Sequence, residues 1–203
     1  MKLRAENNVV ANQVLNIEII QKNRSNLAKN AIEGLVDAFV RSQEYVNTHE
    51  IFKDFTNADL KEHVESVQLC QAEESPSGSA DNTGISLPST HINYFTFKLN
   101  RAGPDIEEIS EEGEDAESME AATYYTLPCS DLQGIWENLF YDSNVKKELL
   151  RFVETTMEFA DANVDQNVIA ANKVVLLHGP PGTGKTSLCK ALAQKLSIRM
   201  QNR

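Results

Sequence analysis

Cysteine is scarce in this chain: Cys70, Cys129 and Cys189 are odd in number and far apart. That spacing argues against a disulfide framework and suits reduced thiols. The four histidines, His49, His63, His91 and His178, stand at no ligand spacing with the cysteines, so no structural zinc is expected. No apolar run approaches a membrane span, and the opening Met1-Lys2-Leu3-Arg4-Ala5-Glu6-Asn7-Asn8 lacks the apolar stretch of a signal peptide. A protein of the nucleus or cytoplasm without a membrane partner is the expectation. Carboxylates are missing from one end: Asp165 is the last acidic residue, and none follows in residues 166–203.

Elsewhere acid is concentrated. The net charge of −11 comes mostly from residues 104–120, which hold nine carboxylates and no Lys or Arg. The remainder is near balance, with 21 acidic against 19 basic residues. A like-charge run containing Pro104 and Gly113 repels itself and reads as an acidic linker. Residues Lys173, Lys185, Lys190, Lys195, Arg199 and Arg203 make the far end basic, but they fit one loop lysine and a solvated helix face. Nucleic-acid binding would need a basic stripe over a whole domain, so none is expected.

The 203 residues, 41% hydrophobic, allow one large or two small domains with packed cores. Residues 1–103 read as a small α+β domain. Leu15, Ile17 and Ile19 alternate with Asn16 and Glu18 as a half-buried strand. Ser25 is a candidate N-cap for a helix carrying Ile32, Leu35, Val36, Phe39, Val40 and Val46 on one stripe. A weaker strand is expected at 64–70, a loop at 71–89, and a third strand in which Phe95, Phe97 and Leu99 alternate with Tyr94, Thr96 and Lys98. Residues 123–127 are a possible last strand. No nucleophile motif appears in this half, which points to binding rather than chemistry.

One motif carries chemistry. Gly179-Pro180-Pro181-Gly182-Thr183-Gly184-Lys185-Thr186 has the spacing of a phosphate-binding loop, whose glycines let backbone N–H groups point inward around an anion. Lys185 would reach the β- and γ-phosphates and the Thr186 hydroxyl would bind Mg²⁺. Before the loop, Val174-Val175-Leu176-Leu177 reads as a buried parallel strand. After it, Leu188, Ala191, Leu192 and Leu196 recur at helical spacing, and a helix N-terminus adds orphan N–H groups and its dipole.

Trp136-Glu137-Asn138-Leu139, the stretch Val145 to Glu154, and the loop with its Pro-Pro resemble the opening of an AAA+ ATPase module. Leu127-Pro128, Gly134 to Asp142 and Thr186 to Leu196 look more closely like the pachytene checkpoint protein 2 subfamily, also called the thyroid-receptor-interactor ATPases. The resemblance covers 127–198 in detail. It implies an N-terminal substrate-recognition domain at 1–103, then the acidic linker, then an α/β P-loop domain from 127 to 203 that is incomplete at its C-terminus. It further implies ATP and Mg²⁺ as cofactors, homo-hexamers in the full-length family, and remodelling of HORMA-domain proteins presented by an adaptor, in meiotic chromosome-axis control and the spindle checkpoint. Gly182, Thr183, Gly184, Lys185, Thr186 and Ser187 carry over as phosphate and Mg²⁺ contacts. The family's Asp-Ile-Gly-Gly stretch, which touches adenine, falls on Asn138-Leu139-Phe140-Tyr141 with larger side chains, and Asn138, Leu139 and Phe140 carry over as adenine contacts.

Phosphoryl transfer also needs carboxylates to hold Mg²⁺ and to position water, conventionally on a strand tens of residues after the loop. None follows Lys185 here, so these residues alone are expected to hydrolyse no ATP. A short non-catalytic module that binds the HORMA-type partner is the alternative expectation. Residues 1–125 are expected to fold alone, and the strand at 174–177 to be left as an exposed apolar edge.

Overall fold

The computed structural model describes residues 14–43, 45–47, 50–71, 85–87, 90–110, 118–165 and 173–201, which divide into two compact units. The first runs to Lys98. Its centre is β1 (Val14–Gln21), a strand with seven of eight residues buried. The strand is therefore not half-buried as expected, since Asn16 and Glu18 on its second face are buried too, and it has a hydrogen-bonded neighbour on each edge. One neighbour is β4 (Val64–Gln71), antiparallel, with Ile17 opposite Leu69 and Ile19 opposite Val67. The other is β6 (His91–Phe97), parallel, with Ile17 opposite Tyr94 and Ile19 opposite Thr96. The short strand β3 (Ile51–Phe52) extends the sheet beyond β4, giving the order β3-β4-β1-β6. Strands β2 (Tyr45–Val46) and β5 (Ile85–Ser86) form a separate antiparallel pair.

Helix α1 (Lys29–Arg41) buries Ile32, Val36 and Val40, spaced four apart on one stripe, in the same core as Leu15, Ile17, Ile19, Val67 and Leu69. Phe39 adds edge-on ring contacts to Phe52 at 5.3 Å and Phe55 at 5.5 Å. Helix α2 (Ala58–His63) begins at Asn57, whose Oδ1 accepts from Asp59 N at 2.8 Å and Leu60 N at 3.4 Å.

Three further expectations change in this unit. Ser25 does not cap α1, which starts at Lys29 after Ala28. Instead its buried hydroxyl accepts from Gln21 Nε2 at 3.0 Å and lies 3.0 Å from His63 Nδ1, tying the end of β1 to the end of α2. Val46 lies in β2, not on the helical stripe, because α1 ends at Arg41. The helix-facing residues of β6 are Ile92 and Tyr94, so the apolar alternation of Phe95 and Phe97 marks the opposite face.

The second unit runs from Leu99. The acidic tract, expected as an unstructured linker, supplies β7 (Asp105–Ser110), paired antiparallel with β8 (Ser118–Tyr124) from Asp105 opposite Tyr124 to Ser110 opposite Ser118, with a register shift between Glu107 and Glu108. Isoleucines at 106 and 109 give strand propensity, and the exposed carboxylates of Asp105, Glu107 and Glu108 are screened by water and salt. The strand expected at 123–127 therefore starts earlier and ends at Tyr124. Helices α3 (Ile135–Asn138), α4 (Val145–Asp161) and α5 (Lys185–Met200) follow. The strand expected at 174–177 does not form: Val174 is 76% and Leu176 82% exposed, since no neighbouring strand among the described residues offers a ladder.

Candidate functional site

The phosphate-loop motif folds as a glycine-shaped turn running directly into α5. Gly182 and Gly184 take φ of 81° and 79°, in the left-handed region that costs a glycine little. Gly184 is the N-cap of α5, and its carbonyl accepts the first helical bond from Leu188 N at 2.8 Å. The turn therefore delivers Lys185 at the first position of a sixteen-residue helix, where backbone N–H groups lack intrahelical partners.

Lys185 folds back over the turn. Its ammonium donates to Pro180 O at 2.7 Å, Gly179 O at 2.9 Å and Thr183 Oγ1 at 3.3 Å, and Thr183 Oγ1 donates to Pro180 O at 2.9 Å. A strong cation thus sits among main-chain groups of the turn. Thr186 and Ser187 are exposed on the first helical turn, and Pro181 and Gly182 are exposed on the loop. A donor set of one ammonium, helix N-terminal amides and two hydroxyls fits a polyphosphate with its divalent cation.

Residues 138–141 approach the loop from the end of α3. A Cβ added to Gly184 would lie 3.1 Å from the Tyr141 hydroxyl and 3.6 Å from Leu139 Cδ2. Tyr141 OH also donates to Gly184 O at 3.4 Å. Of the three residues expected beside adenine, Leu139 is brought to the loop, whereas Asn138 is exposed and Phe140 is 89% exposed. The resemblance places Tyr141 in the adenine-touching stretch and gives it no contact of its own; its link to Gly184 spans 43 positions and has no local signature.

This segment is held from behind by Lys146 on α4. Its ammonium donates to Leu139 O at 2.9 Å and to Trp136 O, and stands 5.0 Å from the Trp136 ring centroid. Burial lowers the Lys146 pKa, with Lys195 adding to the depression and Glu137 opposing it. Lys195 was expected on a solvated helix face but is 4% exposed, and its ammonium meets Glu137 Oε1 at 3.0 Å. Arg199, likewise expected in solvent, pairs with Glu154 Oε1 at 3.0 Å. The partners lie on α3 and α4, remote in sequence.

A cavity of about 270 Å³ lies between α4, α5 and residues 173–177, lined by Leu149, Phe152, Met157, Val175, Leu177 and Leu192 among others. Among the described residues its lining contains no Asp or Glu.

The turn, its lysine and the following helix have the form of the P-loop class. The family model of the TRIP13 N-terminal domain matches residues 11–102, and that of the ATPase family associated with various cellular activities (AAA) matches residues 175–202. The chain is 41% identical over 196 residues to the pachytene checkpoint protein 2 homolog of Gallus gallus, covering 97% of this chain and 44% of that one. It is 38% identical over 195 residues to the Homo sapiens protein of the same name, covering 96% of this chain and 44% of that one. A solved structure described as "Structure of C. elegans PCH-2" matches with a TM-score of 0.63 and 28% identity, over 93% of this chain and 46% of that one. The chain is thus similar over nearly its whole length to pachytene checkpoint protein 2 homologues, with a TRIP13-like N-terminal domain followed by the start of an AAA domain, and it spans less than half the length of these relatives.

Proposed function

We propose that these residues form the substrate-recognition and nucleotide-docking portion of an ATP-dependent AAA+ remodeller of HORMA-domain proteins, serving meiotic chromosome-axis control, meiotic recombination and the spindle checkpoint. The observation carrying this reading is the left-handed glycine turn that sets Lys185 at the head of α5, in a chain whose residues 11–102 match a TRIP13 N-terminal domain. In it, Gly179, Pro180, Pro181, Gly182, Thr183 and Gly184 wrap the phosphates, and Lys185 leaves its loop carbonyls to pair with the β- and γ-phosphate oxygens. Thr186, with Ser187 beside it, holds Mg²⁺. Leu139 packs near the base, with Asn138 and Phe140 at the rim. ATP supplies the phosphoryl group and Mg²⁺ neutralises its charge.

Binding and hydrolysis separate in this reading. Residues 186–203 contain no carboxylate to hold the metal or position water, so the 203-residue piece docks nucleotide without cleaving it. That same feature favours a second reading, in which the piece recognises its HORMA-type partner or adaptor without remodelling it. The full-length protein is proposed to act as a homo-hexamer in the nucleus and cytoplasm.

A pull-down and a phosphate-release assay on the 203-residue chain test both parts. Capture of a HORMA-domain protein or its adaptor with background phosphate release is the expected result. Failure to capture either partner would contradict the recognition role, and Lys185-dependent phosphate release would contradict the docking-only role.

A further inference from the structure

Four contacts run in series from the loop to the single tryptophan of the chain. Gly184 O accepts from Tyr141 OH at 3.4 Å. Leu139, two residues before Tyr141, would touch any side chain at Gly184, at 3.6 Å. Leu139 O accepts from Lys146 Nζ at 2.9 Å. That ammonium also binds Trp136 O and stands 5.0 Å from the Trp136 ring centroid. Gly184 is the pivot of the phosphate turn, because it is left-handed, caps α5 and precedes Lys185.

We propose that Tyr141 is a positioning residue of the nucleotide site: its hydroxyl fixes the Gly184 peptide in the phosphate-ready turn and couples loop occupancy to the Lys146–Trp136 contact. The inference rests on the nucleotide-docking reading. The physical argument is that Gly184 O carries two donors, Leu188 N–H and Tyr141 O–H. Phosphate binding at the N–H face of this peptide polarises its carbonyl and strengthens both bonds. Tyr141 is then drawn toward the loop, and with it the segment whose carbonyls hold Lys146. Without the hydroxyl, Gly184 keeps its helical bond but loses its link to residues 139–141. The turn then samples other conformations before each binding event, and Trp136 no longer responds.

Tyr141→Phe removes one oxygen from a half-buried side chain, so the fold is retained and the coupling is what changes. Two readouts on the 203-residue chain separate the coupling from binding itself: the fluorescence of an N-methylanthraniloyl ADP derivative with Mg²⁺ for binding, and Trp136 emission with unlabelled MgADP for coupling. Expected for the parent chain is saturable binding accompanied by a Trp136 intensity change. Y141F should bind about three- to tenfold more weakly, the effect of one net hydrogen bond, and show little Trp136 change even at saturation. A merely structural role would leave the Trp136 response intact once nucleotide is bound. Parent-like affinity with a parent-like Trp136 response in Y141F overturns this inference and leaves the docking reading standing. No binding by the parent chain overturns both.

Discussion

The side-chain amide of Gln194 closes on both main-chain polar groups of Cys129: Nε2 donates to Cys129 O at 2.9 Å, and Oε1 accepts from Cys129 N at 3.0 Å. Gln194 is buried at 5% exposure on α5, and Cys129 is buried at 2%. The pair acts as one rung of a sheet made by a side chain, joining the segment after β8 to the helix that follows the phosphate loop.

Gln194→Leu is therefore predicted to destabilise the chain by about 2–4 kcal/mol, since it strands a buried N–H and a buried C=O at about 1–3 kcal/mol each. Gln194→Glu keeps the acceptor but turns a buried carboxylate oxygen toward the Cys129 carbonyl, so at neutral pH it should destabilise at least as much. Denaturant midpoints with unchanged slope would record this order; equal midpoints for Q194L and the parent would refute the role.

Tyr94 OH donates to Asp37 Oδ1 at 2.5 Å, and Arg41 Nε donates to the same oxygen at 2.7 Å. Burial works to raise the Asp37 carboxyl, but the bonds from Tyr94 and Arg41, with the Arg41 charge, hold it below its ordinary value. Burial raises the Tyr94 phenol well above its ordinary range, and the Asp37 carboxylate reinforces the shift. The depressed Asp37 contributes stability that is present above about pH 4 and lost as pH falls below it. The raised Tyr94 contributes stability that is present below about pH 10 and lost as pH rises beyond it. Tyr94→Phe should flatten both limbs of the stability profile and delete the highest-pH step in a phenolate absorbance titration. Retention of that step would show that Tyr94 ionises normally.

Two glycines should respond oppositely to alanine. Gly34 lies exposed within α1 with nothing within 4 Å of an added Cβ, so Gly34→Ala should stabilise by about 1 kcal/mol through helix propensity. Gly184 has φ 79°, and an added Cβ would meet the Tyr141 hydroxyl at 3.1 Å. Gly184→Ala should destabilise by about 1–2 kcal/mol from the left-handed backbone and weaken nucleotide binding. Thermal melts of the two variants should move in opposite directions; a shared direction would mean that the loop turn is not the conformation in solution.

The sequence made visible what repeats locally. Leu15, Ile17 and Ile19 alternate because they share the face of β1 that packs in the core with α1, and Ile32, Val36 and Val40 are spaced for one helix face. The loop was legible because glycine spacing is chemistry in itself. Long-range choices were hidden. Ile106 and Ile109 promote strand pairing that charge counting overlooked, and β8, expected only from residue 123, supplies the partner. Ser25 reads as a cap by residue type, yet Gln21 and His63 claim its hydroxyl. Lys195 and Arg199 look like solvated charges until Glu137 and Glu154 are placed beside them by folding. Tyr141 falls in the stretch that the resemblance aligns with adenine contacts, but its bond to Gly184 has no pattern, since the partner is a main-chain carbonyl.

The central claim is that the turn from Gly179 to Lys185 docks nucleotide phosphates through Lys185. Titration of the 203-residue chain with a fluorescent ATP analogue and Mg²⁺, alongside Lys185→Ala, tests it most directly. The Lys185 ammonium bonds only to exposed loop oxygens in the structure, so K185A should melt within about 0.5 kcal/mol of the parent, as surface substitutions do. The prediction is saturable binding by the parent and its loss in K185A at unchanged stability. Equal binding by both chains, or none by the parent, would contradict it.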